Sequence, residues 1–160
     1  MGHGEVPLGG AARSRPQEVA SAAWGQNKAV ILLDTHAWLW LATHPGRLSA
    51  TATTAIQAAL NAGGIAIASV TLLELAWLME RGRLRLSGSA ETLLTELMAT
   101  TGVVVKEITP SIASLSSRLP EDVGRDPVDR VIVATARTEG LPLVTRDRAL
   151  RRSRFVETVW

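Results

Sequence analysis

The sequence predicts an α/β domain built on a parallel sheet, and two observations carry that reading. From Ala29 onward, short apolar runs alternate with longer stretches of helical periodicity, the pattern of parallel strands joined by crossover helices. The punctuation agrees. Thr109 and Asp126 each precede a proline, which places a capping side chain before a proline at the first helical position. Gly102 and Gly140 follow helical stretches as stops.

Residues 1–27 hold five of the 13 glycines, two prolines and almost no apolar periodicity. They read as a loose tail, whose Arg13 and Arg15 could touch nucleic acid, and the folded unit is assigned to residues 28–160. The first strand is expected over 30–33, where four apolar residues run together, and helices over 35–42 and 49–61. A second apolar run predicts a strand over 65–68. Helical patterns follow over 71–81 and 89–100, with Gly102 after the second. The apolar stretch 103–108 is read as a strand and 110–118 as the helix opened by Thr109 and Pro110. The helix opened by Asp126 and Pro127 runs over 127–139. After Gly140, strands are expected over 143–145 and 156–159.

The hydrophobic fraction of 46% and charged fraction of 20% suit one globular domain and exclude disorder throughout. With no cysteine in the chain, disulfides, thiolate metal sites and a cysteine nucleophile are excluded together. Residues 63–79 form the most apolar region, too short to span a bilayer and interrupted by Ser69, Thr71 and Glu74. The N-terminus has no basic start followed by an apolar stretch, so a cytoplasmic protein is expected, without a membrane partner.

The placement of acids is the informative feature. Of five aspartates, four occupy strand or helix ends. Asp34 ends the first strand and Asp147 follows the 143–145 strand. Asp126 and Asp129 open one helix three residues apart, on one face. Glu74 lies among Leu72, Leu73, Leu75, Ala76 and Trp77, where a carboxylate is costly to desolvate without a partner. Helix capping is an alternative reading for Asp34, Asp147 and above all Asp126, with Asp129 completing a capping-box-like pair. The coincidence of strand-end acids favours a shared site, because residues just beyond the strand carboxyl ends of a parallel sheet converge on one crevice. Clustered like charges call for a cation. An all-oxygen donor set without His or Cys suits Mg2+ or Mn2+.

The ordered set of segments Leu-Leu-Asp-Thr-His-Ala-Trp-Leu-Trp from Leu32, Ser-Val-Thr-Leu-Leu-Glu-Leu from Ser69, Arg-Asp-Pro-Val-Asp-Arg-Val-Ile-Val-Ala-Thr-Ala from Arg125 and Leu-Val-Thr-Arg-Asp from Leu143 resembles the PIN-domain nucleases, and within them the VapC-type toxins. The resemblance spans Val30 to the C-terminus. It implies a three-layer α/β/α fold around a central parallel sheet and a metal-dependent endoribonuclease with a Mg2+ or Mn2+ cofactor. The family's acids would map to Asp34, Glu74 and Asp129, with Asp147 as the fourth. Asp126 belongs to a variant of the third motif and is a further candidate ligand. Thr35 and Thr145 match hydroxyls that support the site. Val128 departs from the aromatic residue common in relatives, a matter of packing. The resemblance also implies an RNA substrate, a homodimer and a cognate small antitoxin.

Metal-assisted phosphodiester hydrolysis needs no protein nucleophile. A polyanionic substrate needs cations nearby. From Lys28 onward there are 15 basic and 13 acidic residues, and setting aside Asp34, Glu74, Asp129 and Asp147 leaves +6. Arg125, Arg130, Arg146, Arg148, Arg151, Arg152 and Arg154 cluster around the third and fourth motifs, as phosphate contacts or as ordinary surface charge. His36 reads as packing or as a hydrogen-bonding support, while Trp38, Trp40 and Trp77 read as core, with base stacking as the alternative. The apolar load of the 35–42 and 71–81 helices suggests that one carries a face for a partner.

Other classes fit less well. A haloacid-dehalogenase-like phosphatase requires a second aspartate where His36 stands. A receiver domain requires an earlier acidic pair, and no glycine-rich phosphate loop appears. Alternatives within the resemblance are a housekeeping PIN nuclease without an antitoxin and a non-catalytic module that binds RNA or protein. The second is marked by loss of site acids, and none is missing.

Overall fold

The computed structural model describes residues 30–84 and 87–160. The tail assigned to residues 1–27, with Arg13 and Arg15, and the start of the folded unit at Lys28 lie outside the described residues. The elements follow as β1 (Val30–Leu33), α1 (Thr35–Thr43), a 3-10 turn (Pro45–Arg47), α2 (Ala50–Ala62), β2 (Gly64–Ala68), α3 (Ser69–Glu80), α4 (Ala90–Thr101) and β3 (Val104–Lys106). Then come α5 (Pro110–Arg118), a 3-10 turn (Glu121–Val123), α6 (Pro127–Glu139), β4 (Leu143–Val144), α7 (Arg148–Arg152) and β5 (Thr158–Val159).

The five strands form one sheet in the order β3-β2-β1-β4-β5, parallel at every pairing. Alternation along the strands divides the core in two. Ile31, Leu33, Ile65 and Ile67 point to one side, against Trp38, Ile56, Leu75, Leu93 and Leu97 from α1 to α4. Leu32, Ala66, Ala68 and Leu143 point to the other, against Ile112, Ile132, Val133 and Leu150 from α5, α6 and α7. Both faces of the sheet are thus covered at its centre, which is why β1 and β2 are continuously apolar. The three-layer α/β/α arrangement follows. Burial of one Trp38 ring and a hydrogen bond from its Nε1 to Thr101 Oγ1 at 2.9 Å tie α1 to α4.

Capping chemistry sets the boundaries. Thr109 accepts from the Ile112 amide and Asp126 from the Val128 amide, each before a proline. Gly102 and Gly140 close α4 and α6 with φ of 66° each, a left-handed turn that glycine enters without a Cβ penalty.

Some expectations are corrected. The strand expected over 103–108 is only Val104–Lys106, because β3 is a sheet edge and the chain leaves it toward the Thr109 cap. The 156–159 strand contracts to Thr158–Val159 at the opposite edge. α3 starts at Ser69, two residues early, directly after β2. The short α7 was not anticipated, since Leu150 is its single buried residue and its five residues show no apolar period. Trp77, expected in the core, is 45% exposed, and Leu73 one turn earlier is 46% exposed. The apolar load of α1 is instead consumed inside the domain, with Ala37, Trp38, Leu39 and Trp40 all buried.

Candidate active site

The strand order places the crevice. Consecutive strands β1, β2 and β3 lie side by side, after which the chain crosses back to put β4 on the other side of β1. Connections leaving the carboxyl ends of β1 and β4 therefore diverge, and such a switch point opens a cleft between them. The Asp34 amide donates to the Val144 carbonyl at 3.0 Å, holding the two strand ends together.

Asp34, Glu74, Asp126, Asp129 and Asp147 all line one open cleft of about 1190 Å³ at this place. The capping and site readings of the aspartates turn out not to compete. Asp34 caps α1 through Oδ1, which accepts from the Ala37 amide at 2.6 Å. Asp147 caps α7 through Oδ1, which accepts from Ala149 and Leu150 at 2.7 and 2.9 Å. Asp126 uses Oδ1 for the Val128 amide at 2.8 Å. Among the described residues, the second carboxyl oxygen of Asp126 and of Asp147 has no protein partner. In Asp126 and Asp147, capping fixes where the carboxylate stands and leaves the other oxygen available.

Two threonines brace the set. The Thr35 hydroxyl donates to Glu74 Oε2, bridging α1 and α3. Thr145 Oγ1 accepts from the Asp147 amide at 3.0 Å, and its hydrogen bond to Asp34 steadies that carboxylate. Both threonines are buried, as expected for groups that orient neighbours. Glu74 is only half-buried because α3 leaves one side open, so its apolar neighbours do not enclose it.

The acids sense one another. Burial pushes Asp129 up from 3.8 to about 7, and the nearby charges of Asp126, Asp147, Glu74 and Asp34 add to the rise. Asp34 is also raised, chiefly by burial, against the lowering effects of the Thr145 and Ala37 hydrogen bonds. Among the described residues, no group of three or more His, Asp or Glu side chains already converges as a ready-made ion cage. The acids share a cleft and a field rather than a closed coordination shell.

The arginines divide. Arg130 faces away from the cleft and donates to the carbonyls of Ser116, Leu119, Pro120 and Gly124, tying down the segment between α5 and α6. Arg125 pairs with Glu121 at 3.1 Å on the exposed surface. Arg130 thus serves the fold, and Arg125 is an exposed surface charge. Arg152 and Arg154 do not line the cleft, whereas Arg146, Arg148 and Arg151 do. They are joined there by Arg47, Arg83 and Trp160, which sequence reasoning missed. Arg47 lies in an isolated 3-10 turn and Trp160 beyond the edge strand, and no local pattern marks either.

A parallel α/β domain with a carboxylate cleft at its switch point defines the class of protein. The PIN domain model matches residues 31–156, and the chain belongs to that family. It is 40% identical over 132 residues to Ribonuclease VapC22 of Mycobacterium tuberculosis, covering 81% of this chain and 98% of that protein. Solved structures share the fold. VapBC2 from Rickettsia felis, bound to a DNA fragment from its promoter, matches with a TM-score of 0.61 at 15% identity over 81% of this chain and 96% of that one. DNA-bound VapBC from Salmonella typhimurium matches with a TM-score of 0.59 at 20% identity, over 80% and 95%. VapBC-5 from Mycobacterium tuberculosis, a member of the VapBC family of toxin-antitoxin systems, matches at 0.52 and 22% identity, over 81% and 97%.

Proposed function

We propose that this protein is a divalent-metal-dependent endoribonuclease acting as the toxin of a VapBC-type pair, with Asp34, Glu74, Asp129 and Asp147 as its catalytic acids. One observation carries the reading: acids spread from Asp34 to Asp147 meet in a single cleft at the switch point, in a chain 40% identical to a named ribonuclease over nearly all of that protein.

The donor set fits Mg2+ or Mn2+. It is made of carboxylate oxygen alone, and the upward displacement of Asp129 reflects burial, to which the nearby charges of Asp126, Asp147, Glu74 and Asp34 add. Asp34, Glu74, Asp129 and Asp147 would hold the ion, with Asp126 as a further ligand. When bound, a divalent ion supplies activation of water and offsets charge on the phosphate oxygens. The chain's own residues orient the site. Thr35 holds Glu74, Thr145 holds Asp34 and Asp147, and the helix starts at Ala37 and Ala149 fix the rotamers of their caps. A site carboxylate would accept the proton released by the attacking water. Arg146, Arg148 and Arg151, which line the same cleft, supply the positive charge that a polyanion requires.

The exposed pair Leu73 and Trp77 on α3 gives an apolar surface suited to a protein partner, whether a second copy of the chain or a small antitoxin. No helix among the described residues is long and apolar enough to cross a membrane, and we place the protein in the cytoplasm.

The test is incubation of labelled single-stranded RNA with the protein and Mg2+ or Mn2+, with and without EDTA. Cleavage that stops on chelation supports the reading, and undiminished cleavage in EDTA overturns it. Growth arrest on expression, relieved by the product of a neighbouring small gene, tests the toxin assignment.

A further inference from the structure

The cleft has a second wall that the acids do not explain. Trp40 is 7% exposed, and what covers it is cationic and aromatic. The Arg47 guanidinium carbon stands 4.7 Å from its ring centroid and that of Arg146 5.8 Å. The Trp160 ring meets it at 5.9 Å between centroids with a 58° tilt, and His36 at 5.7 Å. Arg47, Arg146 and Trp160 all face the cleft.

Arg146 is adjacent in sequence to Asp147 and shares a cleft with five acids, yet among the described residues neither its guanidinium nor that of Arg47 forms an ion pair or a hydrogen bond. An indole face positions each guanidinium while leaving its N–H donors open, which is the state suited to receive phosphate oxygens. Trp160 is only half-buried, so part of its ring remains open to the cleft. Aromatic faces and guanidinium planes beside free phosphate donors are what holds one unpaired nucleotide: the base stacks and its phosphate is clamped. A base still paired in a helix cannot offer its face this way.

We propose that Trp160, Arg47 and Arg146, set on the Trp40 ring, form a subsite for an unpaired nucleotide next to the phosphate positioned at the acids, and that this subsite selects single-stranded RNA. The inference rests on the nuclease reading for its substrate, but its test does not depend on cleavage.

The experiment measures fluorescence anisotropy of a labelled single-stranded RNA oligomer with the full-length protein in EDTA, where no divalent ion is available. Loss of the Trp160 stack in Trp160→Leu, which keeps apolar bulk against Trp40, weakens binding about tenfold, and Trp160→Phe stays within about threefold of wild type. Arg146→Ala also weakens binding, while a hairpin that pairs the same sequence binds less tightly than the open strand. An abasic position scanned along the oligomer costs wild type about tenfold at one site and Trp160→Leu less than about twofold there, the coupling expected of a direct stack. Merely structural damage would not remove sensitivity to one base. The proposal is overturned by absent wild-type binding, by Trp160→Leu binding like wild type, or by equal abasic losses in both proteins. The last result would leave this wall to an acidic protein partner. Wild-type binding with the expected coupling but no cleavage when Mg2+ is restored would sink the nuclease reading and leave the subsite standing.

Discussion

Replacing Asp129 with asparagine tests the electrostatics of the cleft directly, because it removes the charge that burial and four neighbouring acids oppose. The displacement of its carboxyl from 3.8 to about 7 is worth about 4 kcal/mol at about 1.4 kcal/mol per pH unit. Solvent screening of this partly exposed group reduces the expected effect to about 2 kcal/mol. The sign follows from proton binding. A carboxyl raised in the folded state keeps its proton when the unfolded chain has released it, so its contribution is full below about pH 4 and is lost as pH rises through about 7. In EDTA, wild type should therefore lose stability relative to Asp129→Asn across this window, and the gap should level off above it. At about pH 8 the variant should melt roughly 6 °C higher, taking about 3 °C per kcal/mol for a domain of this size. Thermal unfolding followed by circular dichroism at a series of pH values provides the measurement. A variant no more stable than wild type at high pH, or a gap that does not change with pH, would refute the argument that burial and its acidic neighbours oppose the charge of Asp129.

Addition of Mg2+ should raise the melting temperature of wild type, by about 2.7 kcal/mol of stability at a hundred times the dissociation constant, and raise that of Asp129→Asn far less; equal responses would remove Asp129 from the ion site. Asp34→Asn and Glu74→Gln should each cut RNA cleavage by at least about a hundredfold, the order set by loss of an electrostatic element of a site, with circular dichroism unchanged. Thr35→Val should reduce cleavage by about 10- to 100-fold, as removal of a group that orients a ligand does, and activity near wild type would show that its bond to Glu74 is incidental. Arg130→Ala should destabilise by about 2 kcal/mol or more, since it strips a charged donor from four carbonyls, yet leave RNA affinity unchanged once the protein is folded; a selective loss of affinity would return Arg130 to the substrate.

The α/β class, the order of the major elements and the acids that line the cleft are legible in local sequence chemistry. Branched apolar runs such as Val30–Leu33 can be satisfied only by burial on both faces, and Asp126 before Pro127 starts a helix whatever surrounds it. Strand ends in a parallel sheet must face the same edge, so Asp34 and Asp147 could be brought together before any contact was known. The tertiary structure alone decided what long side chains reach. Arg130 and Arg146 flank the same motifs, but carbonyls left open between α5 and α6 capture one and the Trp40 ring captures the other. Trp38 and Trp77 each lie in apolar helical sequence, yet α4 covers the first while the second stays 45% exposed, with Arg81 over its ring. Burial and the direction of a flexible side chain depend on partners distant in sequence, and local periodicity carries no record of them.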